Sequence, residues 1–535
     1  MRSHRVLLVA LVVLIGACPV IAAVFLSRSH VDRIVYALDD PYIHMAVARN
    51  IVNAGVFGVT RHEFASCSSS PLWVLLMAGA CALFGVRESI PLFLGILSAA
   101  LVVLVVCRMA ARYLKSSASQ LVLALAVIGA TPLVPLVFTG MEHALHAALC
   151  LLFLWRAALA LAAEGEEIGS IDWLLLAPAM TATRFEGMFA VAAVCLLLLL
   201  KRRVRHAVLL AVLGLLPIVA YAAFSVAQGS LPLPNSVLLK VPGPDLGSVG
   251  GLVAYSLLWL TRLAHNPQLL VLTVAACVFF VVSRPRATAW TAAQFMEAAF
   301  VVVTLLHLQF AQTGRFYRYE AYLVATGLVV TAIGASEVMS ASGERWGGLS
   351  VVQRVGLTAG LACFAAPLLQ RASESVARTP IAMANVHQQQ YQMARFVHTY
   401  YERQAVAAND IGAISFMADI ELLDLFGVAS VDVVRAKIAG RYDTGRIREL
   451  AALRGVRIAI VYDKWFTGRK ALPPLWKHVG KWTIPDNVVC GDATVSFYAV
   501  DGAEAGKLSE RLAEFSPSLP EPVMESGSYL KSRRP

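Results

Sequence analysis

Four stretches of this chain, Val6–Phe25, Ile90–Cys107, Leu121–Phe138 and Ala207–Phe224, run for the length of a bilayer crossing with almost no charge. A hydrocarbon core about 30 Å thick needs about 20 predominantly apolar residues per helix. The chain therefore reads as a polytopic, mostly α-helical membrane protein. Composition agrees: 58% of residues are hydrophobic and 15% charged, where a globular chain has about a quarter charged. The first run follows Arg2 and Arg5, as a signal peptide would. It is longer than a signal core of about 7–15 residues, so we expect an uncleaved first span. The formal charge of +11 comes from basic residues between apolar runs, which argues for cytoplasmic loops and against nucleic acid. Nine cysteines show no zinc spacing, and most lie in apolar segments.

Basic clusters at Arg108/Arg112/Lys115 and Lys201/Arg202/Arg203/Arg205 set the expected threading, because cytoplasmic loops concentrate Lys and Arg. They put the N-terminus in the cytoplasm and give about 11 spans. In this threading Pro71–Gly85 lies at the outer interface rather than crossing. Residues 120–138 form one span. Residues 171–200 form a hairpin that turns at Arg184–Gly187, because one long helix would bury that charged pair at mid-membrane. The expected domains are a membrane core over 1–370, with a first outer loop at 27–87, and a small extracytoplasmic α/β domain over 371–515. A loose tail is expected over 516–535. Strands are expected near 404–408, 457–462 and 494–500, with a helix over 446–454. Gln388–Tyr401 reads as a linker helix, with glycan contact as the alternative.

The threading gathers unusual polar groups on one face. These are Asp39-Asp40-Pro41-Tyr42-Ile43-His44, Glu142, Arg184 with Glu186, Asn235 and Lys240, and Arg315-Phe316-Tyr317-Arg318. Ionisable groups at a membrane edge are costly and point to function. A carboxylate pair opposite several cations suits an anionic, lipid-linked substrate: carboxylate as base, guanidinium for phosphate. Blander readings exist for each. Asp40, followed by Pro41, suits a helix N-terminus, leaving Asp39 the freer of the two. Arg184 and Glu186 could be a structural ion pair, and Tyr317 and Tyr319 part of an aromatic belt. His307, on an apolar run, reads as a core histidine.

In order along the chain, Asp39-Asp40-Pro41-Tyr42-Ile43, Ser68-Ser69-Ser70-Pro71-Leu72-Trp73, Thr139-Gly140-Met141-Glu142, Thr183-Arg184-Phe185-Glu186-Gly187, Leu233-Pro234-Asn235 with Lys240, Arg315-Phe316-Tyr317-Arg318-Tyr319 and Asn409-Asp410-Ile411-Gly412-Ala413 resemble the GT-C glycosyltransferases. The resemblance runs from about residue 30 to 430 and is nearest the arabinofuranosyltransferase-like branch, beside the mannosyltransferases. Phe185 stands where a proline is expected, and Cys67-Ser68-Ser69 also departs from the pattern, so sugar and acceptor stay open. The resemblance implies an inverting glycosyltransferase that uses a polyprenyl-phosphate sugar on the extracytoplasmic face of a bacterial inner membrane. The acceptor is a cell-envelope glycan, lipid or protein. Asp39 is then the expected base and Asp40 its helper. Arg184, Lys240, Arg315 and Arg318 are expected to hold the donor phosphate. Tyr42, His44, Glu142, Glu186, Asn235 and Tyr317 are expected to contact substrate. No compact ligand set marks a metal, although a divalent cation on Asp39 and Asp40 stays open. The competing reading is a transporter of lipid-linked sugars, which explains the spans and the charges but not the acidic first loop or the C-terminal domain.

Overall fold

A computed structural model describes residues 2–29, 33–163, 172–240, 248–283, 289–342 and 350–533. Apolar runs become helices because a bilayer offers the backbone no other hydrogen-bond partners. Among the described residues, seven helices are long and apolar enough to cross a membrane, and a helix pair bent by 105°, Leu258–Ala264 with Pro267–Ser283, makes an eighth candidate. Shorter apolar helices run over Pro71–Phe84, Ser117–Ala130, Trp173–Thr183 and Gly187–Leu200. The chain is a multi-pass membrane protein with a small C-terminal sheet domain.

The expected hairpin at 171–200 is present. Its helices meet at Arg184–Glu186, where Arg184 N–H and the following turn close the first helix. The expected single span over 120–138 is instead broken after Ala130 and resumes at Leu133. Pro132 sits in the break, where it lacks the N–H that a continuous helix would need.

The shift in composition near residue 370 does not end a helix. One helix runs from Val351 to Val386, through Pro367 and Pro380, with an apolar first half and a more polar second half. A π-helical turn, His387–Tyr391, joins it to Gln392–Tyr400. A π turn inserts a residue into the helical ladder and re-aims the side chains that follow.

The sheet comprises β1 (Ala405–Ala408), β2 (Glu421–Asp424), β3 (Ile458–Val461), β4 (Lys477–Thr483), β5 (Thr494–Ala499) and β6 (Met524–Gly527), in the order β2-β1-β3-β5-β4-β6. Strands β2, β1 and β3 are parallel; β5, β4 and β6 pair antiparallel. Side chains alternate between two cores. Val406, Ile458 and Ile460 join the large core shared with the membrane helices, and Ala407, Ala459 and Val461 join the second. The segment 516–533, expected as a loose tail, is instead ordered. β6 adds to β4, and Tyr529 is fully buried, with its hydroxyl donating to Glu525 at 2.7 Å. Its proline- and serine-rich composition hid an edge strand that is anchored by Tyr529 and by buried Val523.

Candidate active site

The helix Asp40–Ala54 begins where the first loop meets the C-terminal domain. Asp39 holds the N-cap position but with helical backbone angles, and its side chain makes no bond to its own helix. Capping needs extended geometry there. Its carboxylate instead accepts the N–H of Gly412 at 2.5 Å and of Ala413 at 2.8 Å, so it closes the helix Gly412–Met417 of the other domain. Only glycine fits at 412, since a Cβ would lie 2.0 Å from the Asp39 carbonyl oxygen. Burial and the hydrogen-bonded Asp410 carboxyl hold Asp39 well above the usual carboxylate range. Asp410 in turn accepts from Gln390 and Tyr462 at 2.8 and 2.7 Å.

The geometry differs from the expected one, in which Asp39 is the freer of the pair. Asp39 is the engaged carboxylate. Asp40 keeps 37% of its side chain exposed and meets Arg318 Nη2 at 2.5 Å. Arg318 Nε and Nη1 are buried without a protein partner. Asp40 and its own charge-assisted bond raise the Arg318 pKa despite burial.

Arg318 owes its position to an unusual backbone. Gly314, Arg315, Phe316 and Tyr317 all have φ between +47° and +79°, one turn of left-handed helix, closed by Arg318 N–H to the Gly314 carbonyl at 3.2 Å. Each non-glycine residue there costs roughly 1–2 kcal/mol. Neighbours hold the turn. Glu320 accepts the Gly314 N–H at 2.7 Å, and Arg371 of the long helix reaches Glu320 and the Tyr317 carbonyl, each at 2.5 Å. Its Nε donates to the Ala130 carbonyl at 2.9 Å, at the break in the third expected span.

Arg184, at the hairpin tip, pairs with Glu142 and, at 2.5 Å, with Glu186; its Nη1 lies 2.9 Å from His143 Nε2. The guanidinium holds Glu186 down at about 2. Glu142 and Glu186 thus serve Arg184 in this structure. Tyr319 lies between the two arginines, with its ring centre 5.3 Å from Arg184 Cζ and 5.0 Å from Arg318 Cζ.

Three connected spaces meet here. A cleft of about 600 Å³ between membrane core and C-terminal domain is lined by Asp39, Asp40, Arg315, Arg318, Gln390 and Asp410, among others. An apolar groove of about 450 Å³ runs between Gly187–Leu200 and Ala292–Phe310, past Phe189, Leu306 and Phe310, and ends on Arg184. A small neck of about 70 Å³, holding His44, Ser68, Glu142 and Arg184, joins them; Tyr319 borders all three. His44 Nε2 meets Ser68 Oγ at 3.3 Å, and burial lowers its pKa and favours the neutral ring.

Of the expected residues, Asp40, Arg184, Arg315, Arg318, His44, Glu142 and Glu186 gather at these spaces, with Asp39 on the cleft wall. Three do not. Tyr42 is fully buried, its hydroxyl accepting the Tyr36 N–H at 3.3 Å. Asn235 is buried and ties the loops together through Ser66 and Val428. Tyr317 turns away, because the left-handed turn points it at Glu374 and Arg371. Lys240 ends the helix Asn235–Lys240, and its side chain lies outside the described residues. His307 is a satisfied core histidine, bonded to Tyr322 and to the Gln312 carbonyl. Among the described residues, no three His, Cys, Asp or Glu side chains gather as a metal site. Asp39 spends both oxygens on backbone N–H groups and Asp40 meets a guanidinium, so the pair does not form a ligand set. Asp410 and Tyr319 lay in quoted motifs without an assigned role, and Gln390 in the segment offered for glycan contact; Arg371, which holds the Arg318 turn, was hidden by its place after the last expected span.

A family described as a domain of unknown function (DUF8728) matches residues 383–498. No curated protein matches the sequence. Among solved structures, ArnT from Cupriavidus metallidurans bound to undecaprenyl phosphate aligns over 92% of this chain and 98% of its own, with a TM-score of 0.52 and 13% identity. Its apo state gives the same values. The chain has the GT-C fold. The Archaeoglobus fulgidus oligosaccharyltransferase, in complex with Zn and sulfate, also matches, at 12% identity and a TM-score of 0.47 over 73% of that chain. The alignment with ArnT covers 92% of the chain, so it takes in both the multi-span core and the appended sheet domain.

Proposed function

We propose that this GT-C-fold chain is an inverting glycosyltransferase. It moves a sugar from a polyprenyl-phosphate donor to a cell-envelope acceptor on the extracytoplasmic face of a bacterial inner membrane. The observation that carries the reading is the union of an apolar groove, ending on Arg184, with a polar cleft that holds Asp40 and the unmet donors of Arg318. A lipid phosphate needs this pairing: hydrocarbon along the groove, guanidinium at its end. The undecaprenyl phosphate bound to ArnT supports the same class of donor.

In the reaction, the acceptor oxygen attacks the anomeric carbon as the bond from that carbon to the phosphate oxygen breaks. The electron pair leaves with the phosphate, whose growing charge Arg318 and Arg184 stabilise. The acceptor proton passes to Asp40. Arg318 bridges both events. Drawn toward the phosphate through Nε and Nη1, it loosens its hold on Asp40, which regains basicity. Asp39 is a positioning residue, and no step requires a cation on either aspartate.

A transfer assay tests this, with purified protein, radiolabelled polyprenyl-phosphate sugars and an envelope extract as acceptor. Label on the acceptor and free polyprenyl phosphate with wild type, both absent with Asp40→Asn, are the expected result. A donor lipid recovered unchanged by folded, lipid-binding protein would overturn the enzyme reading in favour of transport.

A further inference from the structure

The wall of the cleft opposite the membrane core holds a feature the proposed reaction does not use. Trp465 lines the cleft and is 39% exposed, the one exposed aromatic side chain of the C-terminal domain among the described residues. Large rings are normally buried, because each carries a large apolar area. The exposure is held in place. Trp465 ends a short helical turn, Asp463–Trp465, whose first residue is bonded three ways to the sheet: Asp463 accepts from Lys481 at 2.9 Å, Ser496 at 2.8 Å and Tyr498 at 2.8 Å. Phe426 and Tyr462 brace the indole, with ring centres at 5.3 and 5.5 Å. A Cβ at Gly491 would lie 2.7 Å from both Trp465 Cζ2 and Tyr462 Cε2, so the loop beneath these two rings needs glycine.

The same cleft is also lined by amide and carboxyl groups: Gln312, Gln390, Asn409, Asp410 and Asp40. A rigid ring face beside a row of hydrogen-bonding groups selects for a particular chemistry. A lipid tail would desolvate the carboxyls without bonding them. A phosphate would face the aspartates. A sugar meets both demands, with its C–H face on the indole and its hydroxyls on the amides and carboxyls. Trp465 lines the cleft but not the apolar groove, so a lipid donor lying in the groove leaves the ring free for the acceptor.

We propose that Trp465 forms a carbohydrate subsite, and that the acceptor is a glycan whose sugar stacks on the indole while its hydroxyl reaches Asp40. This rests on the proposed transferase function and narrows it, setting aside a protein or simple lipid acceptor. Because the ring is fixed before ligand arrives, binding loses little conformational entropy.

The test measures binding of two probes separately, by titration calorimetry on the full chain in detergent. One is undecaprenyl phosphate. The other is a panel of hexasaccharides of mannose, glucose and arabinose. At least one hexasaccharide binds wild type. Trp465→Ala weakens that binding about tenfold, the scale of one lost aromatic contact, and leaves undecaprenyl phosphate binding unchanged. Trp465→Phe retains most of the affinity. Three results overturn the subsite: no hexasaccharide binding to a wild type that binds undecaprenyl phosphate, equal hexasaccharide binding by Trp465→Ala, or equal loss of both probes in Trp465→Ala. Loss of undecaprenyl phosphate binding in wild type would instead sink the transferase reading itself.

Discussion

Two adjacent aspartates have opposite fates here. Asp39 is bonded by two backbone N–H groups and Asp40 by a guanidinium that borders the cleft. Asp40→Asn should therefore stop transfer while donor binding survives, as read by turnover and lipid binding on the same preparation. Asp39→Asn should keep measurable turnover, because an amide still accepts one N–H and can donate to Asp410. Turnover lost in Asp39→Asn and kept in Asp40→Asn would reverse the assignment. Arg318→Lys should weaken undecaprenyl phosphate binding by about 2 kcal/mol, since lysine cannot hold Asp40 and a phosphate through a planar fork. Unchanged affinity in a titration would remove Arg318 from the phosphate site. The sequence showed that acids and arginines converge, because charges next to spans have few places to go. It did not show which aspartate faces the cleft. That depends on Gly412, 373 residues away from Asp39.

Among elements, the left-handed turn at 314–317 is the least legible from sequence. Only Gly314 hints at positive φ; Arg315, Phe316 and Tyr317 do not. The hairpin at Arg184–Glu186 was legible for the opposite reason, since an ion pair within an apolar run demands a turn at the membrane edge. The long helix shows a third case: the change in polarity at 371 falls within it and does not mark its end. The turn is maintained by Arg371, so Arg371→Ala should leave Glu320 buried and unpaired and destabilise the protein by roughly 3–5 kcal/mol. Thermal unfolding in detergent would show it. A second substitution, Glu320→Gln, should recover part of the loss. If Arg371→Ala unfolds at the wild-type temperature, the turn holds itself.

For the whole molecule, Asp39 is the bolt between membrane core and C-terminal domain. Its folded pKa is raised by burial and by Asp410. The unfolded value is about 3.9. Its stabilising contribution is thus fully present below that value and is lost as pH rises through the folded pKa, because the folded state holds the extra proton. Stability should fall with rising pH across that window, and Asp39→Asn should flatten the fall. Thermal midpoints measured in a pH series would check both, and parallel profiles for the two proteins would exclude the shared proton. Because a carboxylate of one part closes a helix of the other, neither part is a self-contained module. Chimaeras that graft the sheet domain of one relative onto the membrane core of another should therefore assemble only when acid and glycine are exchanged together, so these two distant positions should evolve as one.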